Sequence, residues 1–121
     1  MEVQEALLRR RSIRKYKNKK ISKKNIDKIL KAAMYAPSAM NLQAWHFIVI
    51  DDRDILIETI KSISYAEMLK QSSAAILVCG DSSVEKNDSW LLQNCSASIQ
   101  NILLSAYGLG IGSCWIAIHG M

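Results

Sequence analysis

Two guanidinium groups and a hydroxyl alternate along the short segment Arg10-Arg11-Ser12-Ile13-Arg14. If this segment is extended, its side chains alternate with period two, so Arg10, Ser12 and Arg14 project to one side. Arginine pairs bidentately with phosphate oxygens and a hydroxyl adds a further hydrogen bond, so the set suits a phosphate dianion. The spacing alone is equally compatible with a basic arm that is simply solvated.

The positive charge of the chain is concentrated around this segment. Residues 1–24 carry ten Lys and Arg against two Glu, whereas the whole 121-residue chain has a net charge of +5. Such a patch attracts anions, and a nucleic-acid-binding arm over residues 9–24 is therefore an alternative function. Tyr16 is the only aromatic residue of that arm, so the arm offers no platform on which bases could stack. We therefore expect no nucleic-acid partner.

A second polar cluster, residues 37–45 (PSAMNLQAW), lies directly before an apolar run. A loop that carries Ser, Asn and Gln beside a sheet can present amides and hydroxyls to the edge of a heterocycle. The same residue types also occur in plain connections, where Ser and Asn bond to their own backbone. Composition alone favours the plain connection.

The remaining segments indicate helices that cover a small sheet. Ser22 is a credible N-cap for a helix with an apolar stripe from Ile26 to Met34, and Pro37 ends that helix. Short β-branched apolar runs predict buried strands, and periodic apolar segments predict helices. Together they predict one α+β domain over residues 1–121, with a small mixed or antiparallel sheet flanked by helices. The other predicted helices are 2–10, 55–63, 66–71 and 88–107, and the predicted strands are 46–50, 74–79 and 113–118.

The longest predicted helix, 88–107, is apolar over a wide arc and contains the small residues Ser96, Ala97 and Ser98. A helix that is apolar nearly all round is buried, and in so small a domain a second subunit is needed to bury it. We therefore expect a homodimer with this helix at its centre. The uncharged stretch Ser89–Ile118 is long enough to span a bilayer, but its amides and serines argue against a membrane span.

Several kinds of site are made improbable by missing motifs. The sequence has no G-x-G-x-x-G and no Walker A motif, which argues against the usual dinucleotide and nucleoside-triphosphate sites. Cys79, Cys95 and Cys114 are odd in number and far apart, so neither a disulfide framework nor a metal site is expected. Reduced cysteines and the lack of an apolar N-terminal signal indicate a cytoplasmic protein.

Taken in order, these segments resemble the FMN-dependent nitroreductase family, and the resemblance covers essentially the whole chain. The RRSIR segment is weak evidence by itself, whereas its combination with PSxxNxQxW at this spacing is specific. The residues that carry the match are Arg10–Tyr16, Ala33–Ser38, Asn41, Gln43, Trp45–Phe47, Tyr65-Ala66, Met68-Leu69, Cys79–Asp81, Cys95–Ala97, Gln100-Asn101, Gly108–Gly110 and Trp115.

The resemblance implies an NAD(P)H-dependent flavin oxidoreductase that is an intertwined homodimer with two FMN sites at the subunit interface. It implies that Arg10, Ser12 and Arg14 hold the phosphate and ribityl chain of FMN, with support from Arg11. It also implies that a loop of the partner subunit lines the flavin and is braced by Gln43. The implied lining residues are Pro37, Ser38, Ala39, Met40 and Asn41, and backbone N–H groups near Ile116 and Ala117 would face the flavin edge.

The implied reaction is hydride transfer from NADH or NADPH through flavin N5 to a nitroaromatic, a quinone or a similar small-molecule acceptor, in ping-pong order. No side chain is expected to act as a catalytic nucleophile. Two positions depart from the family's pattern: Met40 stands where glycine is usual, and Ala44 stands where proline is usual. The chain also ends before the family's C-terminal helix and strands, so a non-catalytic remnant of the fold is an alternative.

Overall fold

The computed structural model describes residues 1–118 as helices that flank one small sheet. The predicted α+β class is confirmed, and the predicted helices and the first two strands agree with the observed bounds to within two residues. The α-helices are α1 (Val3–Arg9), α2 (Lys23–Met34), α3 (Arg53–Ser62) and α4 (Asp88–Gly108). The strands are β1 (Trp45–Ile50) and β2 (Ala75–Gly80), and 3₁₀ turns cover Ala39–Asn41 and Glu67–Lys70.

Local capping interactions set the helix ends. The Ser22 hydroxyl accepts a hydrogen bond from the Asn25 backbone N–H at 3.1 Å, which confirms Ser22 as the N-cap of α2. α4 ends in a Schellman motif, in which the Ile111 N–H donates to the Ala106 carbonyl at 2.8 Å and Gly110 adopts φ +76°. Glycine suits this left-handed position because it has no Cβ. The chain therefore turns sharply at Gly110 and leaves the helix axis.

β1 and β2 form a two-stranded antiparallel sheet whose register runs from the pair Trp45–Gly80 to the pair Ile50–Ala75. α3 lies between the two strands in the chain, and its Leu56 is completely buried. Ile50 and Ala75 pack against the cluster that contains Leu56. α3 is therefore attached at the end of the sheet where β1 finishes and β2 begins.

The predicted third strand over residues 113–118 is wrong. Within residues 1–118, Ser113 makes an isolated parallel bridge with Ser12, and the residues after it do not join a strand. An apolar run becomes a strand only where a neighbour supplies a continuous hydrogen-bonded ladder. Here the neighbour is the extended basic segment, and it pairs at one position.

The core near the site joins α2, β1 and α4. Trp45 and Cys95 are buried in one cluster, and Phe47 packs against it. α2 packs along α4, where the Asn101 side chain donates from Nδ2 to the Ala32 carbonyl at 2.9 Å. No α-helix within residues 1–118 is long and apolar enough to cross a membrane.

Candidate functional site

The basic segment lies against the residues that follow α4. The Ile13 N–H donates to the Ser113 carbonyl at 2.9 Å, beside the bridge between Ser12 and Ser113. A Cβ at Gly112 would lie 2.9 Å from Cγ2 of Ile13, so this close approach requires glycine. Because Ile13 faces Gly112, the side chains on either side of it, those of Ser12 and Arg14, are directed away from this contact in an extended chain.

Arg10 is the half-buried member of the alternating set. It is the C-cap residue of α1, and its Nε atom is buried with no hydrogen-bond partner among residues 1–118. Arg11 instead donates from Nη1 to the carbonyls of Leu8 and Arg10, at 3.3 and 3.1 Å. Arg14 is exposed. The segment therefore holds one constrained cation with an unused donor and a second cation open to solvent.

The polar loop between α2 and β1 is built in a left-handed conformation. Met40 and Asn41 both have φ of 55°, and Gln43 has φ of 50°. This region is unfavourable for residues with a Cβ, by roughly 1–2 kcal/mol per residue, although asparagine tolerates it better. Met40 thus adopts the left-handed conformation for which glycine is suited, which gives a physical reason for the glycine that the resemblance leads one to expect here.

Hydrogen bonds within the loop hold this conformation. The Ser38 hydroxyl accepts from the Gln43 N–H at 3.0 Å, and Gln43 Nε2 donates to Asn41 Oδ1 at 3.1 Å. Ser38 and Ala39 are half-buried, whereas Pro37, Met40, Asn41 and Gln43 are exposed. Strained, polar and exposed loops of this kind are concentrated at ligand sites. The loop presents amide and backbone groups to the outside of the subunit.

Sequence reasoning missed the residue that ties this loop to α4. Asn94 is only 6% exposed, and its Oδ1 accepts the Ala39 N–H at 3.1 Å. The two residues are 55 positions apart, so no local pattern joins them. The available signal was the pair of amides Asn94 and Asn101, seven positions apart in a helix that is otherwise largely apolar, and it does not identify the partner.

A second missed cluster connects the end of β2 to the start of β1. His46 Nε2 lies 3.1 Å from Asp81 Oδ2, and Asp81 Oδ1 accepts from both the N–H and the hydroxyl of Ser83. Hydrogen bonds from Ser83, followed by one from His46, hold the pKa of Asp81 at about 2, below its ordinary value of 3.8. The Asp81 N–H also donates to the Ala44 carbonyl at 2.7 Å, which fixes the chain just after the polar loop.

The two predicted backbone positions at the end of the chain differ in their surroundings. Ile116 is half-buried and packs against the cluster of Leu56, Ala66 and Leu69, whereas Ala117 is exposed. The structure thus attaches the segment after Ser113 to the α3 side of the sheet. It does so by side-chain packing, not by the strand pairing that the sequence predicts.

α4 separates the basic segment from the polar loop. The loop contacts Asn94, whereas the basic segment contacts residues that follow Gly108, where the helix ends. Residues 94 and 108 are fourteen positions apart, which is about 21 Å along the helix axis. The structure therefore brings Arg10–Arg14 together with Ser113 beyond the C-terminal end of α4, and the loop together with Asn94 in its first half. Within residues 1–118 no group of three His, Cys, Asp or Glu side chains is placed to hold a metal.

Solved structures with this arrangement of helices and strands include proteins named as nitroreductases. A Parabacteroides distasonis protein, provisionally named an NADH dehydrogenase/NAD(P)H nitroreductase, matches with a TM-score of 0.93 and 40% identity over 98% of this chain and 69% of its own. An FMN-dependent nitroreductase from Clostridium difficile R20291 matches with a TM-score of 0.89 and 42% identity, over 98% of this chain and 68% of its own. The fold is therefore that of the nitroreductases.

Sequence comparison gives the same assignment. The sequence model of the nitroreductase family matches residues 7–80 and 64–120. A protein from Archaeoglobus fulgidus, provisionally named an NADH dehydrogenase/NAD(P)H nitroreductase, is 51% identical over 112 residues. The alignment covers 91% of this chain and 64% of that protein, so the chain spans less than two thirds of this relative's length. The chain belongs to the nitroreductase family.

Proposed function

We propose that this chain forms the FMN-binding unit of an NAD(P)H-dependent oxidoreductase that reduces a nitroaromatic, a quinone or a similar small-molecule acceptor. The observation that carries the proposal is the buried Nε of Arg10, an unused cationic donor at the start of an exposed basic segment. A buried donor without an acceptor is unfavourable, and a phosphate oxygen would satisfy it. The names of the C. difficile and A. fulgidus relatives support FMN and NAD(P)H as the cofactors.

The donors of the basic segment fit the phosphate of FMN. Arg10 and Arg14 each offer a planar fork of N–H groups that matches phosphate geometry, and the Ser12 hydroxyl lies between them in the chain. Arg11 already bonds to the carbonyls at the end of α1, so its role would be to hold Arg10 in place. The bridge to Ser113 keeps the segment extended, which is the condition for the alternation.

The polar loop fits the edge of the flavin ring, whose carbonyl and N–H groups need both donors and acceptors. Asn41 supplies both from its amide, and the backbone of Ser38 and Ala39 is fixed by the loop's internal hydrogen bonds. Pro37 and Met40 would supply apolar contact, and Gln43 would brace the turn. Backbone groups near Ile116 and Ala117 would complete the site.

The chemistry needs no reactive side chain from this protein. When bound, FMN would supply the redox chemistry, which is hydride transfer from NADH or NADPH through flavin N5 to the acceptor in ping-pong order. The side chains bind and orient: Arg10 and Arg14 neutralise the phosphate, and Asn41 holds the ring edge. The positive charge of the two arginines also stabilises an anionic ligand by Coulomb attraction.

We further propose that the site is completed by a second copy of this chain. The loop bonds to Asn94 in the first half of α4, whereas the basic segment bonds to Ser113 beyond its C-terminal end, and two α4 helices packed in opposite directions would place one subunit's loop near the other's basic segment. Apolar side chains that such packing could cover are exposed on α4, where Trp90 is 47% and Leu92 is 43% exposed. Near the loop, Tyr35 and Met40 are 77% and 84% exposed. Large apolar side chains that are exposed in this way are typical of a protein–protein interface.

A comparison of two arginines tests the proposal. Arg14→Ala should weaken FMN binding by about 1.5–3 kcal/mol, roughly ten- to 150-fold, because it removes a charge-assisted contact to the phosphate. Arg9→Ala is the control, because it removes the same charge from an exposed position in α1. The Nε atom of Arg9 lies 3.9 Å from Oε1 of Glu5, which is a weak surface ion pair. This substitution should leave the FMN dissociation constant within about twofold of the original value.

The measurement is the flavin absorption band of the purified protein, followed by FMN titration and by NADH and NADPH oxidation with a quinone. The protein should bind FMN saturably and oxidise at least one nicotinamide. A protein that stays colourless after incubation with FMN would refute the proposed function. Equal effects of the two substitutions would refute the phosphate role of Arg14.

A further inference from the structure

Asn94 is a buried amide of which only the oxygen is hydrogen-bonded among residues 1–118. Its Oδ1 accepts the Ala39 N–H at 3.1 Å, and its Nδ2 is buried with no acceptor among residues 1–118. A buried donor without an acceptor is unfavourable. The hydrogen bond that Asn94 does make, to the Ala39 N–H, is therefore the contact that accounts for an amide at this position.

The contact with Ala39 connects the loop to the rest of the fold. The other hydrogen bonds of residues 38–43 in the described part of the chain join loop residues to one another. Ala39 stands directly before Met40 and Asn41, which are held at φ of 55°. Such a conformation persists only where the surroundings over-determine it. Asn94 supplies the anchor from outside the loop.

A second asparagine on α4 makes a comparable contact that does not involve the loop. Asn101 lies two turns after Asn94, and its Nδ2 donates to the Ala32 carbonyl in α2 at 2.9 Å. The Ala32 carbonyl also accepts the Tyr35 N–H at 3.2 Å, so it keeps a partner if Asn101 is removed. Asn101 therefore attaches helix to helix, whereas Asn94 attaches helix to loop.

We propose that Asn94 is a positioning residue, which sets the left-handed loop 38–43 in the geometry that receives the flavin ring. The proposal rests on the proposed FMN site and adds to it a residue that contacts the loop instead of the cofactor. Its Oδ1 holds the Ala39 N–H, and this bond fixes the backbone that precedes the two left-handed residues. Loss of the bond should release the loop while leaving the helices in place.

Three substitutions separate positioning from stability. Asn94→Leu keeps the size and removes the acceptor, Asn94→Asp keeps an acceptor for the Ala39 N–H, and Asn101→Leu is the matched control on the same helix. Two readouts are needed: hydrogen exchange of the Ala39 amide without FMN, and the FMN dissociation constant. Asn94→Leu should speed Ala39 exchange and weaken FMN binding, each by about tenfold. Asn94→Asp should restore both toward the original values.

The control substitution should affect stability and not the loop. Asn101→Leu should change the unfolding midpoint but leave the Ala39 exchange rate and the FMN dissociation constant within about twofold of the original values. If Asn94→Leu leaves both readouts unchanged while the original protein binds FMN, the positioning role is refuted and the proposed function stands. If the original protein does not bind FMN, the proposed function fails, and Ala39 exchange still decides whether Asn94 fixes the loop. Asn94→Ala gives the same comparison should the leucine variant not fold, because alanine cannot overpack the site.

Discussion

Replacing Arg10 with methionine should have opposite effects on the free protein and on the FMN complex. Without FMN, the substitution removes a buried Nε donor that has no partner in the described residues, while the methionine stem retains most of the packing. A buried unsatisfied donor costs about 1–3 kcal/mol, and the lower end of this range applies because Arg10 as a whole is only half-buried. The free energy of unfolding should therefore be unchanged or rise by up to about 1 kcal/mol.

With FMN the same substitution should be unfavourable. Loss of a charge-assisted contact to phosphate weakens binding by about 1.5–3 kcal/mol, which is roughly ten- to 150-fold. At an FMN concentration about one hundred times the dissociation constant, binding stabilises the folded state by about 2.7 kcal/mol. If Arg10→Met raises the dissociation constant about a hundredfold, the same FMN concentration gives only about 0.4 kcal/mol.

Urea unfolding followed by far-UV circular dichroism, with and without FMN at one protein concentration, measures both effects. Arg9→Met is the matched control, because Arg9 is the neighbouring arginine, is exposed and makes only a weak ion pair with Glu5. It should change neither the stability of the free protein nor the stabilisation by FMN. A loss of more than about 1 kcal/mol in the free Arg10 variant, with the FMN effect intact, would show that Arg10 is a structural residue.

Two further predictions concern the loop and the Asp81 cluster. Met40→Gly should stabilise the protein by about 0.5–1 kcal/mol in urea unfolding, because relief of the left-handed strain exceeds the entropy that glycine adds to the unfolded chain. Asn41→Gly, at the same φ of 55°, should increase the stability by less, because asparagine tolerates the left-handed region better than methionine does. An equal increase for the two substitutions would show that relief of backbone strain is not the cause. Asp81 has its pKa lowered to about 2 by hydrogen bonds from Ser83 and His46, so it stabilises the folded state above about pH 4 and loses that effect as the pH falls toward about 2. When the pH is lowered from about 5 to about 3, the free energy of unfolding of Asp81→Asn should therefore fall by less than that of the original protein. An identical fall would contradict the lowered pKa of Asp81.

Features set by neighbours in the chain could be predicted from the sequence. Ser22 caps α2 through Asn25, three residues on, and Pro37 excludes helix from the residue before it, so both ends of α2 follow from local chemistry. The apolar runs of β1 and β2 were also recognisable, because each is short, β-branched and followed by a polar or glycine stop.

Features set by distant partners could not be predicted. The run 113–118 has the composition of a strand, but its ladder depends on a neighbour that composition does not reveal, and Ser113 meets only Ser12. The anchor of the loop, Asn94, is 55 positions from Ala39. The left-handed conformation of Met40 was visible only indirectly, through the resemblance to a family with glycine there, because methionine has no intrinsic preference for it.

The most direct test of the proposed site is a comparison of FMN with riboflavin, which lacks the phosphate, in equilibrium fluorescence titrations of the purified protein. If Arg10, Ser12 and Arg14 hold the phosphate and the loop holds the ring, both ligands should bind saturably. FMN should then bind about ten- to 150-fold more tightly than riboflavin, with the difference shrinking at high salt. Equal affinities for the two flavins, or no saturable binding of FMN, would contradict the assignment of the basic segment as the phosphate site.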